Sequence, residues 1–317
     1  MKLLTISVPP GSRTGVLVGD EVLDFALSGQ VFPLAGWVPA SMSNLLAGGE
    51  EGLNVIRRQI DLLERNRQDE QARLRACGAL KPRKEVRLLA PVPRPGILLS
   101  HGRAYHSHLE EMAKGANMKP PEDPRAFLKN TNQIIGPDAP IELPRLFPDM
   151  VDFEGEFSLV FGRDCHAVDE KDALEAVVGY TIINDVSARN WVEHFLKTND
   201  PDINRQGKQL PTFCPMGPVI VTKDELPNPH DVTLTTTLNG QVMQSAHTSD
   251  LIWPISQLIS YFSRFYPFRA GDILTTGSPA GVGYARNPKV FMKAGDEVAV
   301  TVDRVGTLRN PIVSASN

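Results

Sequence analysis

The sequence predicts an α+β chain, mainly β, in two parts: a small α/β unit over residues 1–90 and a larger strand-rich unit over 91–317. Three observations predict it. Short runs with period-two alternation recur along the second part. One long stretch, 41–77, instead carries leucine and isoleucine at helical spacing. Between them, 80–96 is rich in proline and basic residues, a composition that favours extended backbone and marks a boundary. The first part opens with expected strands at 2–8, 15–18 and 21–24. In the helical stretch Leu45, Leu46, Leu53, Ile56, Ile60 and Leu63 recur near one face, and the charged second half, 57–75, belongs on the surface.

Beyond Gly96, strands are expected at 97–100, 157–161, 179–183, 219–222, 232–238, 272–275 and 297–302. Asn239-Gly240 between apolar runs is a hairpin signature, because both residues accept positive φ. Helices are expected at 169–178 and, after Pro254, at 255–264. The loop Gly277-Ser-Pro-Ala-Gly-Val-Gly283 follows a strand, but its glycine spacing fits neither nucleotide-binding pattern.

Composition narrows the function classes. A formal charge of -4 and a sequence pI near 6.0 give no sign of a nucleic-acid or anionic-membrane partner. The three cysteines, Cys77, Cys165 and Cys214, form no C-x-x-C pair and point to a reduced, cytoplasmic setting. No run approaches the roughly 20 apolar residues of a membrane span.

The chemistry concentrates in 151–163. Phe153, Phe157, Leu159 and Phe161 alternate with Asp152, Glu154, Glu156 and Ser158, so carboxylates share one face of a strand, residues two apart being roughly 7 Å from each other. Such crowding is relieved by a proton, a cationic side chain or a metal ion; a solvated acidic face is the plainer alternative. Asp185 ends a second apolar run, 180–185, and offers a third carboxylate at a strand tip. Oxygen ligands suit Mg²⁺, Mn²⁺ or Ca²⁺. His101, His106 and His108 cluster in 100–112, where a helix from about Tyr105 puts His108 and Glu111 at i and i+3. That pair suits activation of a water, although a polar turn also explains it, and zinc through His106 and His108 is the less favoured metal reading.

With these residues in order, the chain resembles the fumarylacetoacetate hydrolase family, in its acylpyruvase-like branch, over roughly 95–305. Val151-Asp-Phe-Glu-Gly-Glu156 looks like the family's metal-binding E-x-E strand, and Asn184-Asp-Val-Ser-Ala-Arg189 like the segment with the third ligand. Gly102-Arg-Ala-Tyr-His-Ser-His-Leu-Glu-Glu111 resembles the His–Glu dyad segment. Gly207-Lys208 leading to Thr212-Phe-Cys-Pro-Met-Gly-Pro218 resembles the lysine segment, and 271–283 the signature strand and loop. The resemblance implies a mixed β-roll that dimerises behind a small N-terminal domain. It implies metal ligands Glu154, Glu156 and Asp185, with Mg²⁺ or Mn²⁺, and catalytic roles for His108, Glu111 and Lys208. Arg103, Tyr105 and Thr276 are expected to position the substrate, a small oxo acid.

The implied reaction is hydrolysis of a C–C bond in a 2,4-dioxo acid, of the kind met in aromatic catabolism, through a pyruvate enolate. Oxaloacetate-type decarboxylation and oxo-diacid isomerisation use the same enolate and remain alternatives, as does a metal-binding homodimer without turnover. The chain departs from the family pattern at His101, Ala104, 127–133 and Asn190-Trp191-Val192. The stretch 193–206 is long enough for an altered lid. A bulkier or more apolar acyl tail near Trp191 and Phe195 is the expectation that follows.

Overall fold

The computed structural model describes residues 1–31, 38–65, 69–113, 119–198 and 205–315, with the backbone alone described for Val192, Phe195 and Leu196. Its frame is a twelve-stranded sheet. From one edge the path runs Leu80–Pro82, Glu21–Asp24, Gly11–Val18, Lys2–Val8, Cys214–Thr222, Val177–Asn184, Gly155–Phe161, Ile273–Thr275, Leu98–Gly102 and Arg125–Leu128. Two short strands, Leu88–Leu89 and Ile134–Ile135, pair off this path. A second, five-stranded sheet is ordered Gln241–His247, Thr233–Leu238, Glu297–Val302, Gly306–Val313 and Ile141–Glu142. It packs over the first through a shared core in which Leu234, Val300 and Leu308 meet Phe157, Tyr180 and Ile182. The fold is α+β and strand-rich, as expected.

Residues 1–90 extend the main sheet and do not stand apart from it. Lys2 pairs with Val221 and Leu3 with Ile220. The helices Met42–Ala47, Gly49–Arg65 and Asp69–Ala76 cover that half, where Leu46, Leu53 and Ile56 share a core with Val160, Ile183 and Ile220. The helical stretch breaks where Gly49 takes φ 56°. The expected hairpin turn forms, with Asn239 and Gly240 both at positive φ and Leu238 opposite Gln241. The helix expected over 169–178 is only a 3₁₀ turn, Glu170–Ala176, because Val177 and Val178 join the buried strand Val177–Asn184. Among the described residues no helix is long and apolar enough to cross a membrane.

The alternating stretch around Glu154 is not one strand. Val151–Asp152 pairs with Ser187–Ala188 in a small ribbon, Phe153 and Glu154 form a link, and the sheet strand begins at Gly155. Both faces of that strand are buried, including Glu156 and Ser158. What approaches Gly155 closely is the second sheet: a Cβ there would overlap the Thr236 hydroxyl and lie 2.9 Å from Val300 Cγ1. Gly155→Ala is therefore expected to destabilise the protein by about 1–3 kcal/mol, as overpacking does. Chemical denaturation checks this; an unchanged midpoint would show that the sheets part at no cost.

Candidate functional site

Register brings the three carboxylates together. Gly155 lies opposite Asn184, so Glu154 and Glu156 flank the end of the neighbouring strand, where Asp185 turns out of the sheet. The Asn184 side chain accepts from the Glu154 amide at 2.9 Å, and the Glu154 carbonyl accepts from the Asp185 amide at 2.8 Å. One oxygen each from Glu154, Glu156 and Asp185 then lies within 4.8 Å of the others, all three side chains buried.

Cationic side chains grip two of them. Lys208 Nζ donates to Glu154 Oε2 and to Asp185 Oδ2, both at 2.6 Å. Lys129, fully buried, donates to Asp185 Oδ1 and to the Lys208 carbonyl at 2.9 Å. Arg189 donates through Nε to Asp152 at 2.8 Å and through its terminal nitrogen to Glu154 at 2.6 Å. Burial pushes the Glu154 carboxyl up, but Lys208 and Arg189 outweigh it and hold it at about 2. Burial also opposes the charge on Lys208, yet Asp185 and Glu154 raise its pKa above the ordinary lysine value.

Glu156 is the exception. Among the described residues its Oε2 has no hydrogen-bond partner, and burial followed by the nearby Asp185 charge pushes the carboxyl well above the usual 4.5. Three convergent carboxylates with an orphaned buried oxygen fit a hard divalent cation. The set contains no histidine, so the zinc reading through His106 and His108 finds no support among the described residues. Binding a cation must displace the Glu156 proton, so Mg²⁺ affinity is expected to rise with pH above 4.5. Calorimetry in buffers of different ionisation enthalpy should detect proton release; heats that do not depend on the buffer would contradict this.

The dyad forms as expected. His108 lies on the helix His106–Ala113, with Nδ1 3.2 Å from Glu111 Oε2. Glu111 is held from its other oxygen by the Gly281 amide at 2.8 Å. The glycine-rich loop thus serves this site: Gly281, at φ 101°, orients Glu111, while the Gly283 and Tyr284 amides donate to Asp152 at 2.8 and 3.0 Å. Gln244 bridges the same loop to the acidic link, accepting from the Gly155 amide and donating to Ser278 and the Pro279 carbonyl.

These groups surround a cavity of about 410 Å³. Glu154, Glu156, Asp185, Lys208 and His108 line its inner part, and Met112, Phe127, Val282 and Tyr284 supply apolar wall. Arg103 and Arg125 line it as well; both are exposed, and neither side chain has an ion-pair partner among the described residues. Arg103, at φ 59°, stands where the sequence suggested a substrate contact. Tyr105 and Thr276 do not. Both are fully buried behind the cavity wall, where the Thr276 hydroxyl donates to the Phe157 carbonyl and the Tyr105 hydroxyl sits 3.5 Å from it.

Of the two residues near which an apolar acyl tail was expected, Trp191 and Phe195, only Trp191 has its side chain described. Trp191 lines a separate cavity of about 190 Å³ with Phe147 and His194, and its indole backs Gly207, next to Lys208. The side chains of Val192 and Phe195, and residues 199–204 of the suggested lid, lie outside the described residues. Lys129 and the Asp152–Arg189 pair are site residues that the sequence reading missed. Asp152 carried a signal in its parity with Glu154 and Glu156; Lys129 carried none, since only the strand Arg125–Leu128 and its pairing deliver it to Asp185.

Comparison with known proteins finds a matching family model, curated relatives and solved structures of the same fold. The family model described as fumarylacetoacetate (FAA) hydrolase C-terminal matches residues 98–313. A mitochondrial oxaloacetate tautomerase of Homo sapiens is 35% identical over 282 residues, covering 87% of this chain and 81% of the relative. The crystal structure of a 5-carboxymethyl-2-hydroxymuconate delta-isomerase from Mycobacterium smegmatis superposes with a TM-score of 0.71 at 32% identity, each chain covered fully. A maleylpyruvate hydrolase from Sphingobium sp. SYK-6, solved with manganese(II) and pyruvate, gives a TM-score of 0.71 at 25% identity, again over all of both chains.

Proposed function

Since the chain belongs to the fumarylacetoacetate hydrolase family, we propose that it is a metal-dependent enzyme that interconverts keto and enol forms of a 2-oxo diacid of the oxaloacetate type. The observation that carries this reading is the charge layout of the cavity. An acidic site fit for a cation shares its cavity with two exposed arginines, Arg103 and Arg125, whose side chains have no ion-pair partner among the described residues. A dianion satisfies both ends: one carboxylate and the oxo group at the metal site, the second carboxylate at the arginines. The human relative, a tautomerase, and the mycobacterial structure, an isomerase, support a proton shift over bond cleavage.

Held by Glu154, Glu156 and Asp185, a divalent cation such as Mg²⁺ or Mn²⁺ would stabilise negative charge on the substrate oxygens. His108 takes the proton from C3, with Glu111 fixing its tautomer and favouring the imidazolium. The same imidazolium returns the proton to the enolate oxygen, so the step nets a 1,3 proton shift with no bond to carbon broken except C–H. Lys208 adds a fixed positive charge beside the developing enolate. Arg103 and Arg125 orient the far carboxylate and reject monoacids.

A second reading, hydrolysis of an acylpyruvate or fumarylpyruvate, is favoured by one observation. The His108 side chain is 14% exposed and opens on the cavity, where it can reach a water. Enol oxaloacetate, acetylpyruvate and fumarylpyruvate assayed side by side with Mg²⁺ separate the two. Rapid loss of enol absorbance without new carboxylic acid products supports the tautomerase; pyruvate release from the dioxo acids at a higher kcat/KM overturns it. Arg103→Gln together with Arg125→Gln should raise KM for the diacid with little change in kcat. An unchanged KM would remove the arginines from the account.

A further inference from the structure

We propose that Gln244 is a positioning residue: it clamps the link that carries Glu154 and Glu156 to the glycine-rich loop that holds Glu111, and so sets the dyad against the cation site. The claim rests on the oxo-acid reading above. Gln244 belongs to the edge strand Gln241–His247, where Thr236 pairs with Gln244 but Thr237 with Val242, so Met243 is the extra residue of a bulge. The bulge breaks the in–out alternation, and the neighbours Met243 and Gln244 are both buried. Both ends of the Gln244 amide are engaged. Its Oε1 accepts from the Gly155 amide at 3.0 Å, while Nε2 donates to the Ser278 hydroxyl at 2.8 Å and to the Pro279 carbonyl at 2.9 Å. A backbone N–H only donates and a carbonyl only accepts, so Gly155 and Pro279 fix which way the side-chain amide faces.

Gly155 sits between two of the three carboxylates, and the loop bonded to Gln244 carries Gly281, whose amide holds Glu111 beside His108. A Cβ on Gly281 would overlap the Met243 carbonyl oxygen, so the loop is seated directly on the bulge. Arg286 closes its far end, donating to the Gly281 carbonyl at 3.1 Å and to the Met243 carbonyl. The cation site has grips of its own: Lys208 and Arg189 hold Glu154, and Lys208 and Lys129 hold Asp185. Loss of Gln244 therefore shifts the dyad and leaves the carboxylates in place. Glutamine suits the post because glutamate has no N–H for the Pro279 carbonyl, and an apolar side chain leaves both backbone groups without this partner.

Gln244→Met keeps the length of the side chain and removes both bonding ends. Calorimetry should show it binding Mg²⁺, and then oxalate as an unreactive mimic of the enolate, as tightly as the wild type does. KM for oxaloacetate should stay, while kcat and C3 deuterium exchange fall by about 10²-fold, as they do when a reacting group is misplaced by about 1 Å. Gln244→Asn keeps the amide one methylene short; it should lose less kcat with metal binding again intact, and it decides the matter if the methionine variant does not fold. A folded variant with wild-type kcat would overturn the role of Gln244. So would equal losses of Mg²⁺ affinity and kcat, which would make it a support of the metal link alone. Wild-type protein that binds no oxalate and exchanges no C3 proton would overturn the oxo-acid reading, and this proposal with it.

Discussion

Asp185→Asn is expected to abolish metal-dependent turnover and to destabilise the protein by about 3–5 kcal/mol, the usual result of removing one partner from a buried charge pair. Among the described residues no other carboxylate in the site is gripped by two lysines. Lys129 and Lys208 both donate to it, and the Ser100 hydroxyl adds a longer contact at 3.3 Å. Neutralising Asp185 removes one of the three proposed oxygen ligands and leaves Lys129, fully buried, with the Lys208 carbonyl as its remaining partner among the described residues. The two losses can be separated. Adding Lys129→Met to Asp185→Asn should recover much of the stability by deleting the stranded charge, and none of the activity. Denaturation midpoints and kcat with Mg²⁺ check both parts. A double variant as unstable as the single one would mean that Lys129 is not the source of the cost.

Lys208→Met should lower kcat by about 10²–10³-fold, the range seen when one fixed donor to a developing oxyanion is lost. Metal affinity should move the other way. Lys208 Nζ lies 2.6 Å from both Glu154 and Asp185, so ammonium and metal draw on the same carboxylates. Without the lysine those carboxylates lose a competing cation, and Mg²⁺ should bind at least as tightly as in the wild type. A variant with wild-type turnover would remove Lys208 from the chemistry; one that loses metal and turnover together would make it a support of the metal site only.

The inner site was legible in the sequence because its residues sit at fixed short offsets. Glu154 and Glu156 share strand parity, His108 and Glu111 share a helix face, and Asp185 ends an apolar run. Local rules of that kind survive whatever the rest of the chain does. The partners that come from tertiary pairing were not legible. Lys129 reaches Asp185 only through the edge strand Arg125–Leu128, and Arg189 joins Asp152 to Glu154 across 35 residues of sequence. The same limit explains the fold. A proline-rich boundary near residue 90 suggested separate units, but the pairing of Lys2 with Val221 makes one sheet of both. Tyr105 and Thr276 looked like substrate contacts by position alone; both are fully buried, with the Thr276 hydroxyl on the Phe157 carbonyl. The Trp191 indole, on the helix Arg189–Thr198, packs at Gly207 and lines a second cavity, a placement set by tertiary packing that the sequence did not show.

If Glu154, Glu156 and Asp185 hold a cation that lets His108 move the C3 proton of an oxo acid, that proton exchanges with solvent only when metal is bound. Deuterium exchange at C3 of oxaloacetate, followed by NMR in D₂O while Mg²⁺ or Mn²⁺ is titrated into chelator-treated protein, measures that step directly. Exchange that rises with metal, saturates at one equivalent per chain and disappears in His108→Gln is the predicted result. Exchange at the same rate without metal, or none above the buffer rate with metal bound, would contradict it.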